Sequence, residues 1–180
     1  MPKIKCAVIG VGYLGRFHAQ KYQLLDNVEL VAVCDLDVSV CEAVAEELQV
    51  AACFDYRDLF GKVDAVSIAA TTTAHYAIAR DCLSQGIHVL IEKPITETVA
   101  QAEELITIAA KHKVKLQVGH LERFNSARLA LDAHLDKPLF IESHRLAPFN
   151  PRGADVNVIL DLMIHDIDII QTIVHSRSEE

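Results

Sequence analysis

Lys3-Ile4-Lys5-Cys6-Ala7-Val8-Ile9-Gly10-Val11-Gly12-Tyr13-Leu14-Gly15-Arg16-Phe17-His18 is the stretch whose reading decides the fold. Residues 4–9 are dense in Val, Ile and Ala, as in a short strand buried on both faces. Gly10, Gly12 and Gly15 form a G-x-G-x-x-G run, and residues 13–25 follow with helical spacing. In a dinucleotide site the first glycine allows the tight turn and the second lets a pyrophosphate approach the backbone. The third lets the helix lie close on the strand, and the helix start offers free N–H groups to the anion. A second apolar run, 28–34, ends at Asp35, 20 residues past Gly15, where a carboxylate accepts hydrogen bonds from a ribose diol. The alternative is a glycine turn in an α/β domain that binds nothing. Strand, glycines, helix and acid all sit where binding needs them.

Working outward, strands and helices alternate. Residues 37–48 carry an apolar stripe at Val40, Val44 and Leu48, and a short strand is expected near 52–54 with a helical turn at 56–60. Strand 65–69 leads through Thr71, Thr72 and Thr73 into a helix ending near Gln85, before Gly86. Strand 88–91 ends in Glu92-Lys93-Pro94, Thr98-Val-Ala-Gln101 is a capping box for a helix to about His112, and 116–119 is a sixth strand. This rhythm predicts a Rossmann-type α/β fold, a doubly wound parallel sheet covered on both faces, with ligands outside the carboxyl ends of its strands. Beyond residue 121 the rhythm changes: a helix at 126–135, a strand at 139–146 and a helix at 156–174 are expected. The domains are therefore read as 1–121, the dinucleotide-binding domain, and 122–180, the first part of a substrate domain with too little sheet to close a core by itself.

The 180 residues, half of them hydrophobic, suffice for one full domain and part of a second. A net charge of −8 and no basic face with interleaved aromatics argue against a nucleic-acid partner. Met1-Pro2-Lys3 enters the first strand directly, so no leader is expected, and no apolar run approaches the roughly 20 residues of a membrane helix. Cys6, Cys34, Cys41, Cys53 and Cys82 form no C-x-x-C pair and are expected as buried free thiols in a reducing cytoplasm.

Candidate chemistry lies at the strand ends and on the last helix. There, Asp161, His165 and Asp168 fall on one face at α-helical spacing, above Thr172, and the rest of the helix is apolar enough to be buried. A histidine tuned by a neighbouring carboxylate can serve as a general base. A structural Asp–His pair and a zinc site are the alternatives, although no further ligand cluster is evident. Lys93, constrained between Glu92 and Pro94 with a cis bond possible before the proline, stands where an ammonium can polarise a carbonyl oxygen or stabilise an alkoxide. The alternative is a solvated lysine. His75, His120 and Arg123 are further candidates for the same crevice.

Taken together, Gly10-Val-Gly-Tyr-Leu-Gly15, Glu92-Lys93-Pro94 and Asp161-x-x-x-His165-x-x-Asp168, in this order, resemble the glucose–fructose oxidoreductase / inositol dehydrogenase (Gfo/Idh/MocA) family along the whole chain. The resemblance implies a Rossmann domain followed by an open-sheet α/β domain. It also implies an NAD-dependent sugar or cyclitol dehydrogenase, with NADP the less favoured cofactor because Asp35 and Asp37 would face a 2′-phosphate. Lys93, Asp161 and His165 become the catalytic group, with His165 the base and no metal. Gly10, Gly12, Tyr13, Leu14, Gly15, Asp35, Thr71, Thr72, His75, Glu92 and Lys93 become the cofactor-binding set. A small-molecule sugar or nucleotide-sugar substrate, a homo-oligomer and no membrane partner follow from the same resemblance. Within the family, residues 118–125 and 160–168 look most like members that oxidise the 3-hydroxyl of UDP-N-acetylglucosamine-type sugars. Two departures stand out: Thr72-Thr73 replaces the family's Pro-Asn, and the chain is much shorter than family members. The shortness keeps open a second class of function, a dinucleotide-binding module or sensor without catalysis. A metal-dependent hydrolase using the Asp161/His165 face is a weaker third.

Overall fold

The computed structural model describes residues 2–132, 134–135, 138–146 and 157–174. The chain divides into two compact units, Met1–Val118 and Gly119–Glu180.

The first unit holds six strands: β1 (Ile4–Ile9), β2 (Val28–Cys34), β3 (Ala51–Cys53), β4 (Ala65–Ile68), β5 (His88–Ile91) and β6 (Leu116–Val118). They form one sheet in the order β3-β2-β1-β4-β5-β6, and every pairing is parallel. Four helices connect them: α1 (Tyr13–Gln23), α2 (Val38–Leu48), α3 (Thr72–Ser84) and α4 (Val99–His112). Local chemistry explains their ends. Asp37 caps α2 by accepting the Ser39 and Val40 N–H groups, and Thr98 and Gln101 close a reciprocal capping box on α4.

Each face of the sheet buries its own core. On one, Ala7, Ile9 and Ile68 pack with Ala79, Leu83 and Leu105; on the other, Val8 and Val33 pack with Ala19, Cys41 and Val44. Strands covered on both faces read as unbroken apolar runs, and β1 does so from Cys6 to Ile9, where it is buried. All five cysteines are buried free thiols. Burial pushes the Cys6 thiol up to about 11 and the Cys82 thiol up to about 12, so both stay protonated and unreactive.

The sheet order reverses at β1, whose two neighbours are reached by connections running in opposite directions. That leaves a crevice outside the carboxyl ends of β1 and β4. Gly10 turns out of β1 with φ +82°, and a Cβ there would stand 2.5 Å from the Ala70 nitrogen. At Gly15 a Cβ would stand 1.8 Å from the Gly10 carbonyl oxygen. Only glycines let turn, helix and neighbouring strand end meet this closely.

In the second unit a 3-10 turn, Leu121–Phe124, precedes α5 (Ser126–Asp132). The expected strand at 139–146 does not form. A strand is held by ladder hydrogen bonds, and no strand is described in this unit to supply them. The last helix also differs from expectation. It begins with a π-helical stretch, Ile159–Met163, and is α-helical only as α6 (Ile164–Val174). Its apolar residues are not all buried: Ile159, Met163 and Ile167 are exposed, because two short helices give them little to pack against. No helix among the described residues is long and apolar enough to cross a membrane.

Candidate active site

The crevice at the end of β1 is built by backbone. Helix α1 starts at Gly12 with no side-chain cap and no acidic residue in its first turn, so its positive end is left for an anion. A Cβ at Gly12 would meet nothing within 4 Å, which means open space where a pyrophosphate would lie. Tyr13 and Leu14, 62% and 48% exposed, border that space.

Asp35 does more than its position past the motif suggests. One carboxylate oxygen accepts the Val11 N–H at 2.8 Å and the other the Asp37 N–H at 3.0 Å. It therefore locks the glycine turn to the end of β2, and each oxygen still has a free lone pair for a ribose hydroxyl. Beside it, hydrogen bonds from the Ser39 side chain and the Val40 N–H hold Asp37 below the usual carboxylate range. Asp35 and Asp37 thus stand side by side at the end of β2, linked through the Asp37 N–H.

Two expected cofactor contacts face inward. His75 is 1% exposed, with Nδ1 2.9 Å from the Pro94 carbonyl and Nε2 3.0 Å from the Ala70 carbonyl. It braces the end of β4 against the loop after β5, where the Lys93–Pro94 peptide is cis. Glu92 is likewise buried, and its Oε1 lies 3.0 Å from His18 Nε2. Burial alone would raise its pKa, but the His18 contact and the Lys93 N–H outweigh burial and hold Glu92 low. Buried polar groups satisfy themselves with near partners, and both side chains are engaged in this way. Thr72 is also buried as α3 begins, and Thr71 is exposed, its hydroxyl 3.3 Å from that of Thr73. Lys93 is half-buried at the rim.

Asp168, 6% exposed, is gripped by both ends of the Arg123 guanidinium, Nε to Oδ2 at 2.7 Å, and His120 Nδ1 lies 3.8 Å from Oδ1. The Arg123 hydrogen bonds hold the Asp168 carboxyl below its usual range despite burial. Arg123 thus holds Asp168, and His120 stands beside the pair. Asp161 falls within the π-helical stretch and His165 on α6, and both are half-buried. Arg145 makes a second two-pronged pair, with Asp166, at 2.8 and 2.9 Å. Among the described residues no group of three or more His, Cys, Asp or Glu is placed to hold a metal ion.

Comparison with known proteins matches residues 4–120 to the oxidoreductase family with an NAD-binding Rossmann fold. The chain belongs to the Gfo/Idh/MocA oxidoreductase family. Among its relatives, UDP-N-acetylglucosamine 3-dehydrogenase of Acidithiobacillus ferrooxidans is 42% identical over 170 residues, 94% of this chain and 54% of the relative. A solved structure of that enzyme superposes over 100% of this chain and 60% of its own, with TM-score 0.91 and 39% identity. Inositol 2-dehydrogenase of Salmonella typhimurium is 28% identical over 179 residues, 93% of this chain and 53% of the relative. The chain thus spans a little over half the length of these Gfo/Idh/MocA relatives.

The sequence missed His18, Ser67 and Tyr22. Ser67 was the available signal: a lone hydroxyl inside a buried four-residue strand needs a partner.

Proposed function

We propose that the protein is an NAD-dependent dehydrogenase acting on a secondary hydroxyl of a sugar or nucleotide sugar, the 3-hydroxyl of a UDP-N-acetylglucosamine-type substrate foremost. The observation that carries this reading is the crevice at the β1–β4 reversal, with open space over Gly12 and Asp35 locked beside it. The greater identity with the nucleotide-sugar relative than with the inositol relative, 42% against 28%, favours that substrate class.

The residues fit the dinucleotide. Gly10, Gly12 and Gly15 with the start of α1 would hold the pyrophosphate, and Asp35 would accept from the ribose diol. When bound, the nicotinamide supplies the acceptor for two electrons and a hydrogen. His165 would take the hydroxyl proton on a ring nitrogen, Asp161 would favour the resulting imidazolium, and Lys93 Nζ would stabilise charge developing on the substrate oxygen. Asp35 and Asp37 favour NAD over NADP, because a 2′-phosphate would meet two carboxylates. A homo-oligomer is part of the proposal, supported by the exposure of Leu139 (98%), Phe140 (83%) and Leu146 (93%) and checked by sedimentation velocity.

Turnover with NAD is measured on UDP-N-acetylglucosamine, myo-inositol and free hexoses. Oxidation of the nucleotide sugar supports the reading, and reaction with only the others contradicts its substrate. Lys93→Met should abolish turnover and keep NADH binding; an active variant removes Lys93 from the mechanism. NADH binding with no turnover of any substrate would leave a dinucleotide-binding module.

A further inference from the structure

Beneath α1 lies a buried polar chain that the reaction above does not use. His18 and Tyr22, four residues apart, project from one face of α1 onto Ser67 of β4, which is fully buried. The His18 and Glu92 side chains are 11% and 8% exposed. The contacts run in sequence: Tyr22 Oη to Ser67 Oγ, Ser67 Oγ to His18 Nδ1 at 3.2 Å, His18 Nε2 to Glu92 Oε1 at 3.0 Å, and Glu92 Oε2 to the Lys93 N–H at 3.3 Å.

Counting protons fixes the direction. The Lys93 amide can only donate, and the Glu92 carboxylate can only accept. Glu92 therefore needs a hydrogen on His18 Nε2, because a bare Nε2 lone pair would face a carboxylate oxygen. With His18 neutral, Nδ1 accepts from the Ser67 hydroxyl, and Ser67 accepts from the Tyr22 hydroxyl. Each side-chain hydrogen is then used once. The Nδ1–H tautomer sets two acceptors against each other at Glu92, and that mismatch would be costly at a buried site.

We propose that His18 is a positioning residue: as its Nε2–H tautomer it fixes the Glu92 carboxylate, which holds the Lys93 amide and ties the rim lysine to the glycine-turn helix. The link rests on geometry alone. Its consequence for catalysis rests on the dehydrogenase reading. Helix α1, whose start faces the dinucleotide space, thereby shares one hydrogen-bonded path with the lysine two strands away.

The test reads Lys93 directly. Lysines are reductively methylated with 13C-formaldehyde, and the Lys93 line is assigned by its loss in Lys93→Arg. Glutamine places an amide N–H near the Nε2 position, whereas asparagine reaches only the Nδ1 position. His18→Gln should therefore leave the Lys93 line in place, and His18→Asn should move it by more than its width. Ser67→Ala cuts the chain upstream of Glu92 and should leave the line unmoved. The proposal is overturned if His18→Asn leaves the line unmoved, or if Ser67→Ala or His18→Gln moves it as far as His18→Asn does. Should His18→Asn fail to fold, Glu92→Gln serves instead. Its amide cannot accept from both His18 and Lys93 without turning an N–H donor toward one of them, so the Lys93 line should move; an unmoved line again overturns the proposal. A wild-type line indifferent to NADH would count against the dehydrogenase reading, while the comparison of variants still decides the role of His18.

Discussion

Gly12 and Gly15 belong to one motif but respond to different physics. A methyl at Gly15 would collide with the Gly10 carbonyl, so Gly15→Ala should destabilise the fold by at least about 2 kcal/mol in urea titrations. A methyl at Gly12, where φ is −61°, meets nothing. Gly12→Ala should keep its urea midpoint and lose NADH affinity, since the methyl fills the space over the helix start. Equal losses of stability would contradict that separation. Asp35→Asn keeps one acceptor oxygen and removes a charge, so the preference for NADH over NADPH should narrow roughly tenfold in fluorescence titrations. The motif was legible because its constraints are local: a turn, a close approach and a free helix start follow from a few adjacent residues. The inward turn of His75 and Glu92 was not legible. Their partners, Pro94 and His18, are 19 and 74 residues away, and no local pattern reports such pairings.

Elements show the same contrast. The Thr98–Gln101 capping box reads directly from four residues and forms as expected. Thr98→Ala should cost about 1 kcal/mol in unfolding free energy. The strand expected at 139–146 failed because a strand needs a partner, and hydrophobic patterning cannot supply one. The π-helical stretch at Ile159–Met163 was invisible for a related reason: the sequence shows spacing, and the hydrogen-bond register decides what that spacing means. The Arg123–Asp168 pair gives this unit a pH signature. Asp168 has a folded pKa held below its ordinary 3.8, chiefly by Arg123. The unfolded chain therefore protonates first as pH falls, and stability rises with pH through that window. The contribution is complete above 3.8 and is lost as pH drops through the lowered value. In urea unfolding monitored by circular dichroism, the gap between wild type and Arg123→Gln should be constant above about pH 5 and shrink below it. A gap independent of pH would show that the pair contributes only packing.

At the scale of the molecule, the two units differ in how far they explain themselves. Met1–Val118 contains a complete parallel sheet, two covered faces and the crevice at the strand reversal. Its architecture follows from alternating apolar runs and helical stripes. Gly119–Glu180 carries Asp161 and His165 on helical segments without a described strand beside them. The central claim, a dinucleotide site read by Asp35, therefore rests on the first unit. Titrating the 180-residue chain with NADH and then with NADPH, followed by nicotinamide fluorescence, tests it most directly. Saturable binding that is at least about tenfold tighter for NADH is the predicted result, as expected when a 2′-phosphate faces two carboxylates. Binding of neither, or equal binding of both, would contradict it.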